Sequence, residues 1–269
     1  MTENTDRYTH GHHESVLRSH TWRTADNSAA YLLGNLRHGD ALLDVGCGPG
    51  TISADFARLV SPGPVTAIDL SPEVIDQARE SHAGLAFANL RFEVGDVYNL
   101  AYVDETFDVV HSHQMLQHLS RPVGALVEMR RVLRREGLLA VRDADFGAFA
   151  WYPDDKRLDR WMAIYQEMTQ RNHAQANAGR HLVAWVRAAG FRDVRASSSN
   201  WIFHTPGERR WWGQLWADRV RESAFASHAL EYGLSSASEL ADIAEAFEQW
   251  SRDDDGVFIA VHGEVLARR

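Results

Sequence analysis

The chain has 269 residues, 45% hydrophobic and 24% charged, and a formal net charge of −9, which suits one decorated α/β domain with a sizeable core. The acidic balance argues against nucleic acid or an anionic membrane as a partner, since both want a basic face. One cysteine, Cys47, excludes a disulfide framework and a cysteine-cluster metal site; the polar opening MTENTDRYTHGHHES carries no secretory signal, and no apolar run approaches the ~20 residues of a membrane span. A cytoplasmic location is therefore expected.

In chain order, residues 1–39 read as an N-terminal cap segment, polar and His-rich and then helical in NSAAYLLGNLRHG. ALLDV (41–45) is a short apolar run ending in glycine, and TISADFARLV (51–60) has apolar residues at helical spacing. VTAID (65–69) is strand-like, and the helix after it opens with Ser71 as N-cap and Pro72 in its first turn. LRFEVGD (90–96) alternates, FDVVHS (107–112) is a buried-strand run, a helix is expected over 121–137 up to Gly137, and LLAVRD (138–143) is a fifth strand. Strands separated by helix-length segments describe a parallel sheet wound with helices, with a cofactor-binding core over 40–150.

Beyond it, residues 151–205 supply helices and a sixth strand, 206–252 a helical insertion, and 253–269 a last strand, all within one domain. Eight of the nine tryptophans fall between Trp151 and Trp250. The last helix of the insertion shows Ser236 and Glu239 in capping-box spacing and a stripe of Leu240, Ile243, Phe247 and Trp250.

The turn LLDVGCGPGT (42–51) sets Gly46, Gly48 and Gly50 two residues after Asp44. In an open α/β sheet, ligands bind beyond the carboxyl ends of the strands, and glycine there lets backbone approach them closely. The dinucleotide spacing is G-x-G-x-x-G, and here the third glycine arrives one residue early. Asp44 would repel a pyrophosphate but attract an ammonium group, so a ligand joining a nucleoside to an amino acid fits both facts. Asp69 ends the second strand, where a carboxylate accepts two hydrogen bonds from ribose hydroxyls. Asp96 is placed for an adenine amino group, with Val97 beside the ring.

Taken together, LLDVGCGPGT, VTAIDLS, FEVGDV, FDVVHSHQMLQHL and EMRRVLRREGLLAV, in this order, resemble the class I S-adenosylmethionine-dependent methyltransferases. Among them the segment is similar to the ubiquinone/menaquinone-biosynthesis C-methyltransferases over roughly residues 35–145. The resemblance implies a Rossmann-like seven-stranded, mostly parallel sheet with an antiparallel last strand and helices on both faces. It implies S-adenosylmethionine as cofactor, converted to S-adenosylhomocysteine. The cofactor-binding residues it implies are Asp44, Gly46, Cys47, Gly48, Gly50, Asp69, Leu70, Gly95, Asp96 and Val97, with His111 under the sulfonium. Arg23 is expected at the methionyl carboxylate if the N-terminal segment folds over it.

Methyl transfer from a sulfonium needs alignment and exclusion of water more than a catalytic triad. A base is required only for a nucleophile that must lose a proton. His111 and His113 are the candidate catalytic residues; Asp143 and Asp145 also lie after the central strands, and the residues alone do not choose among the four. His10, His12 and His13 read as a polar segment, so no metal is expected, and His118 reads as structural. Tyr8, Trp22, Phe146, Phe149, Trp151, Tyr152, Trp211, Trp212 and Trp216 are available to roof the other half of the sheet edge. Adjacent helical residues point ~100° apart, so Trp211, Trp212 and Trp216 cannot share one stripe. The expectation is a lid over an apolar pocket for a small, largely apolar or aromatic metabolite, with a homodimer as the candidate assembly. Two readings stay open beside methyl transfer: a cofactor-binding protein of this fold without transfer, as scaffold or non-methylating enzyme, and a nucleotide-cofactor oxidoreductase.

Overall fold

The structure is a computed structural model and describes residues 20–84 and 87–269. Five strands, β1 (Leu42–Val45), β2 (Val65–Asp69), β3 (Leu90–Val94), β4 (Phe107–His113) and β5 (Leu133–Ala144), form the parallel body of the sheet. Three helices cross between them: α1 (Thr51–Val60), α2 (Pro72–His82) and α3 (Pro122–Val132). After β5 come β6 (Ala150–Tyr152), α4 (Lys156–Arg171), α5 (Ala178–Ala188) and β7 (Arg192–Phe203). Next are α6 (Pro206–Glu222), α7 (Ala224–Glu231), α8 (Ala237–Arg252) and β8 (Val257–Arg268).

The sheet order is β3-β2-β1-β4-β5-β8, with β7 on the far edge of β8 and β6 extending the line of β5. β8 is antiparallel to all three of its neighbours, as expected of a last strand. The sheet has eight strands rather than seven, because Ala150–Tyr152 pairs with the start of β8 as a short extra strand. β1 is buried along its whole length and β4 nearly so, which is why both read as apolar runs without alternation.

Local signals behave as their chemistry requires. The Ser71 hydroxyl accepts from Val74 N, and Pro72 sits at the start of α2. Ser236 caps α8 by accepting from Glu239 N, and Leu240, Ile243, Phe247 and Trp250 are all buried. One helix is corrected: α3 ends at Val132, not Gly137, because Leu133 adopts extended backbone and pairs with Phe107. Strand pairing outweighs the helix propensity of LRRE, and Glu136 takes a φ of 61° in the irregular stretch. The N-terminal helix is also shorter than expected, two single turns at Ala25–Ser28 and Ala30–Leu33.

The segment 206–252 is not a detachable cap. Trp161 of α4 is fully buried against Trp151, Trp216, Phe247 and Phe258, so α4, α6, α8 and β8 share one aromatic core. Gly213 lets α6 and α8 cross closely, since a Cβ there would meet Phe247 O at 2.7 Å. Each large aromatic removes ~150–250 Å² from water, about 4–6 kcal/mol of gross transfer free energy. α6 carries buried residues around much of its circumference, including Arg209 and Arg219, which hid its packing face from the sequence pattern. Among the described residues no helix is long and apolar enough to cross a membrane.

Candidate cofactor and acceptor site

The carboxyl ends of the strands open into one cavity of about 410 Å³. Of the residues singled out in the sequence, Arg23, Asp44, Gly46, Cys47, Gly48, Asp69, Leu70, Gly95, Asp96, Val97 and His113 line it. Gly50 and His111 do not.

The glycine turn is built as its composition demands. Gly46, Gly48 and Gly50 have φ of 73°, 54° and 80°, the left-handed region that side chains avoid. A Cβ on Gly46 would lie 2.7 Å from Met115 Cγ, so backbone and Met115 close on each other. Gly50 starts α1, and a Cβ there would collide with the Phe92 ring, which explains a glycine that serves packing rather than the cavity wall. Cys47 packs beside Ile75, Ala78 and Phe92, and burial pushes its thiol pKa up, as suits an inert small side chain.

Two carboxylates hold the turn. Asp69 accepts from Gly48 N and Ser71 N, each at 3.1 Å, so it joins the glycine turn to the start of α2. Asp44 accepts from Ser53 Oγ at 2.5 Å and from His111 Nδ1 at 2.8 Å. Asp96 Oδ1 accepts from Tyr98 N at 2.9 Å, a turn-forming bond that leaves its other oxygen outside the turn.

The histidines separate by depth along β4. His111 pairs in register with Asp44, one step inside the strand end; it is fully buried with its ring edge against Phe56. It supports Asp44 from behind and does not line the cavity. His113 closes β4 and lines the cavity. Burial, then the Arg142 guanidinium, hold its pKa well below the usual histidine value. Arg142 Nη1 stands 3.4 Å from His113 Nδ1; a guanidinium only donates, so Nδ1 carries the lone pair and the ring proton belongs to Nε2. Asp145 is taken by Arg180, whose Nε and Nη2 donate at 2.8 and 2.5 Å, and neither Asp145 nor Asp143 lines the cavity.

Several site residues carried no local signal. Gln114, at φ 51°, accepts from Arg23 Nη2 at 2.7 Å and faces His262 Nε2 at 2.6 Å. His262 Nδ1 lies 3.0 Å from Ala260 O, so it is the proton-bearing nitrogen and Nε2 accepts from Gln114. Trp201 donates to Asn27 O at 2.7 Å and stacks under Arg23 and Arg142 at 5.6 and 5.0 Å. Trp22 covers Trp201, Phe203 and Trp211, so the N-terminal segment straps β7 to α6 beside the cavity mouth. α6 adds Trp212, Trp216 and Arg219 to the lining, and Phe146 and Phe149 come from the segment after β5. Trp211 is the member of the triplet that faces away, half-buried under Trp22. Tyr8, His10, His12 and His13 lie outside the described residues.

A parallel sheet with its ligand cleft at a glycine turn, flanked by acids rather than by phosphate-binding cations, defines the α/β class that binds a nucleoside-amino-acid cofactor. A methyltransferase-domain family model matches residues 36–204. An uncharacterized methyltransferase of Schizosaccharomyces pombe is 32% identical over 100% of this chain and 99% of its own. A ubiquinone/menaquinone biosynthesis C-methyltransferase of Roseobacter denitrificans is 37% identical over 39% of this chain and 42% of its own. The crystal structure of the YcgJ protein from Bacillus superposes at a TM-score of 0.59 and 18% identity, covering 89% of this chain and 97% of that one. The chain belongs to the methyltransferase-domain family and is a class I S-adenosylmethionine-dependent methyltransferase, with S-adenosylmethionine as its cofactor.

Proposed function

We propose that the enzyme methylates a small, largely apolar or aromatic metabolite. The observation that carries this reading is that the cavity containing the glycine turn continues into a wall of Phe146, Phe149, Trp201, Trp212 and Trp216. Apolar walls with a few fixed polar groups are the usual form of a small-molecule site, and a net charge of −9 argues against nucleic acid.

The residues present fit the cofactor. In this reading Asp69 accepts from the ribose hydroxyls, Asp96 and Val97 take the adenine, and the Gly46–Gly48 backbone lies against the methionyl part. Asp44, held in place by one hydrogen bond to each oxygen, supplies negative charge to the ammonium group. Arg23, held by Gln114, faces the methionyl carboxylate. When bound, the cofactor supplies an electrophilic methyl on a sulfonium with a built-in leaving group. The chain then contributes alignment and dryness: the Trp22 strap and α6 close the cavity, and Gln114 is pinned by bonds on both sides.

The test is a transfer screen with labelled S-adenosylmethionine against small phenols and apolar metabolites, with peptides and tRNA as comparison. Transfer to the small aromatics, weakened by Phe149→Ala with S-adenosylhomocysteine still raising Tm, supports the reading. Transfer confined to protein or RNA would overturn it.

A further inference from the structure

The charges around the cavity are sorted by sign. Its lining carboxylates, Asp44, Asp69, Glu73 and Asp96, all stand on the β1–β3 half or the helices beside it. On the half formed by β4, β7, β8 and α6, the described lining residues include no carboxylate; Arg219 is the charged side chain that α6 brings there, 5.0 Å over the Trp216 ring.

The neutral polar groups of that half agree with the charge. His113 Nε2 and Trp212 Nε1 are both buried, both on cavity-lining residues, and neither has a hydrogen-bond partner. Buried polar groups are usually paired, so these two on the cavity wall are available to ligand atoms. Both are donors: an indole nitrogen only donates, and Arg142 at Nδ1 of His113 leaves the proton on Nε2. Arg142 itself is fully buried and balanced by Glu264 at 3.3 Å, with Ser199 Oγ accepting from its Nε at 3.0 Å, so it stays in place to fix that tautomer. Arg23, His262 and His111 act on His113 in the same direction as Arg142, toward the neutral ring.

We propose that the acceptor half of the cavity takes an aromatic or conjugated acid, a phenol or enol bound as its anion, whose oxygen is met by His113 and Trp212 with Arg219 supplying positive charge. The inference rests on the methyltransferase reading and narrows its substrate. A bound anion has already given its proton to water. Its oxygen, or the carbon conjugated to it, holds the electron pair that forms the bond to methyl as the carbon–sulfur bond breaks and leaves its pair on sulfur. His113 is then a hydrogen-bond donor and not a base, in keeping with the lack of a carboxylate on that half among the described lining residues. Donors around an anion lower the pKa of its conjugate acid, whereas an amine would meet like charge when protonated and, when neutral, would give to those donors the one lone pair that must attack the methyl.

The test uses para-nitrophenol and the neutral, similarly shaped para-nitroaniline, titrated into the protein saturated with S-adenosylhomocysteine. The coloured phenolate band reports ionisation directly. The nitrophenol should bind at least ~10-fold more tightly than the aniline, with its apparent pKa lowered by about one unit on the protein. Trp212→Phe keeps the ring and deletes one donor; it should shrink the pKa drop while the Tm increase caused by S-adenosylhomocysteine stays. Arg219→Gln should do the same through charge. Equal or tighter binding of the aniline, a raised phenol pKa, or no binding of either probe overturns the proposal. Failure of S-adenosylhomocysteine to raise Tm at all would instead strike the methyltransferase reading.

Discussion

Asp69 offers the sharpest handle on the cofactor half. Its two oxygens accept from Gly48 N and Ser71 N at 3.1 Å each, and in the proposed reading both also accept from the ribose hydroxyls. A hydrogen bond to a charged group contributes about 1.5–3 kcal/mol, so Asp69→Ala, losing two of them on a partly exposed group, should cost about 3 kcal/mol. That is roughly 100-fold in Kd for S-adenosylhomocysteine, since 1.4 kcal/mol is tenfold. Asp69→Asn keeps one acceptor and should lose nearer ~10-fold. Calorimetric titration measures both, with circular dichroism and thermal melts to show that the variants fold. Because Asp69 also anchors the glycine turn, a second comparison separates direct contact from loop damage. The 2′-deoxy analogue should bind more weakly than its parent to the native protein but lose little further on Asp69→Ala, the coupling expected of a shared contact. Unchanged affinity in folded Asp69→Ala, or losses that simply add, would refute the assignment.

Asp143 is fully buried, with Oδ1 accepting from Gln117 N at 3.0 Å and Oδ2 unpartnered, and burial raises its pKa from 3.8 to about 7. A carboxyl whose folded pKa exceeds its unfolded one stabilises the protein below the unfolded pKa, and that contribution is lost as pH rises through about 7. Asp143→Asn should therefore flatten the fall of Tm between ~pH 5 and 8 and gain at most about 4 kcal/mol at the upper end; a wild-type slope in the variant's melts would sink this. Gly46→Ala forces a side chain onto φ 73° and 2.7 Å from Met115 Cγ, so S-adenosylhomocysteine titration should show more than ~10-fold loss, while Gly34→Ala, with nothing within 4 Å, should leave affinity as it was.

What could be read from the sequence and what could not divide along a physical line. The β1–β3 half of the site is made of short segments that each follow their own strand: the glycine turn after β1, Asp69 closing β2, Gly95–Val97 after β3. Their chemistry is local, and so is their signature. The partners of those residues were not legible: nothing near Asp44 tells that Ser53 and His111 occupy its oxygens, and only strand register brings His111 opposite it. Arg142 reads as one polar position in LLAVRD, yet it is fully buried because Glu264, on the antiparallel β8, lies beside it in register. The opposite half is assembled from β4, β7, β8 and α6, so its members converge only after long-range pairing is complete. Composition pointed to an aromatic lining, and the periodicity of α6 concealed which tryptophans would supply it, since Trp212 and Trp216 line the cavity while Trp211 turns outward under Trp22. A helix buried on several sides has no single apolar stripe to read. Recognition of a fixed nucleoside needs only a few atoms at set places, and short segments at strand ends can supply them. Selectivity for an acceptor needs groups drawn from distant parts of the chain, where a change of one donor or one charge leaves the cofactor cradle alone. Among the described lining residues, the carboxylates stand on one side of this cavity and His113, Trp212 and Arg219 on the other, which is the separation such a division of labour calls for.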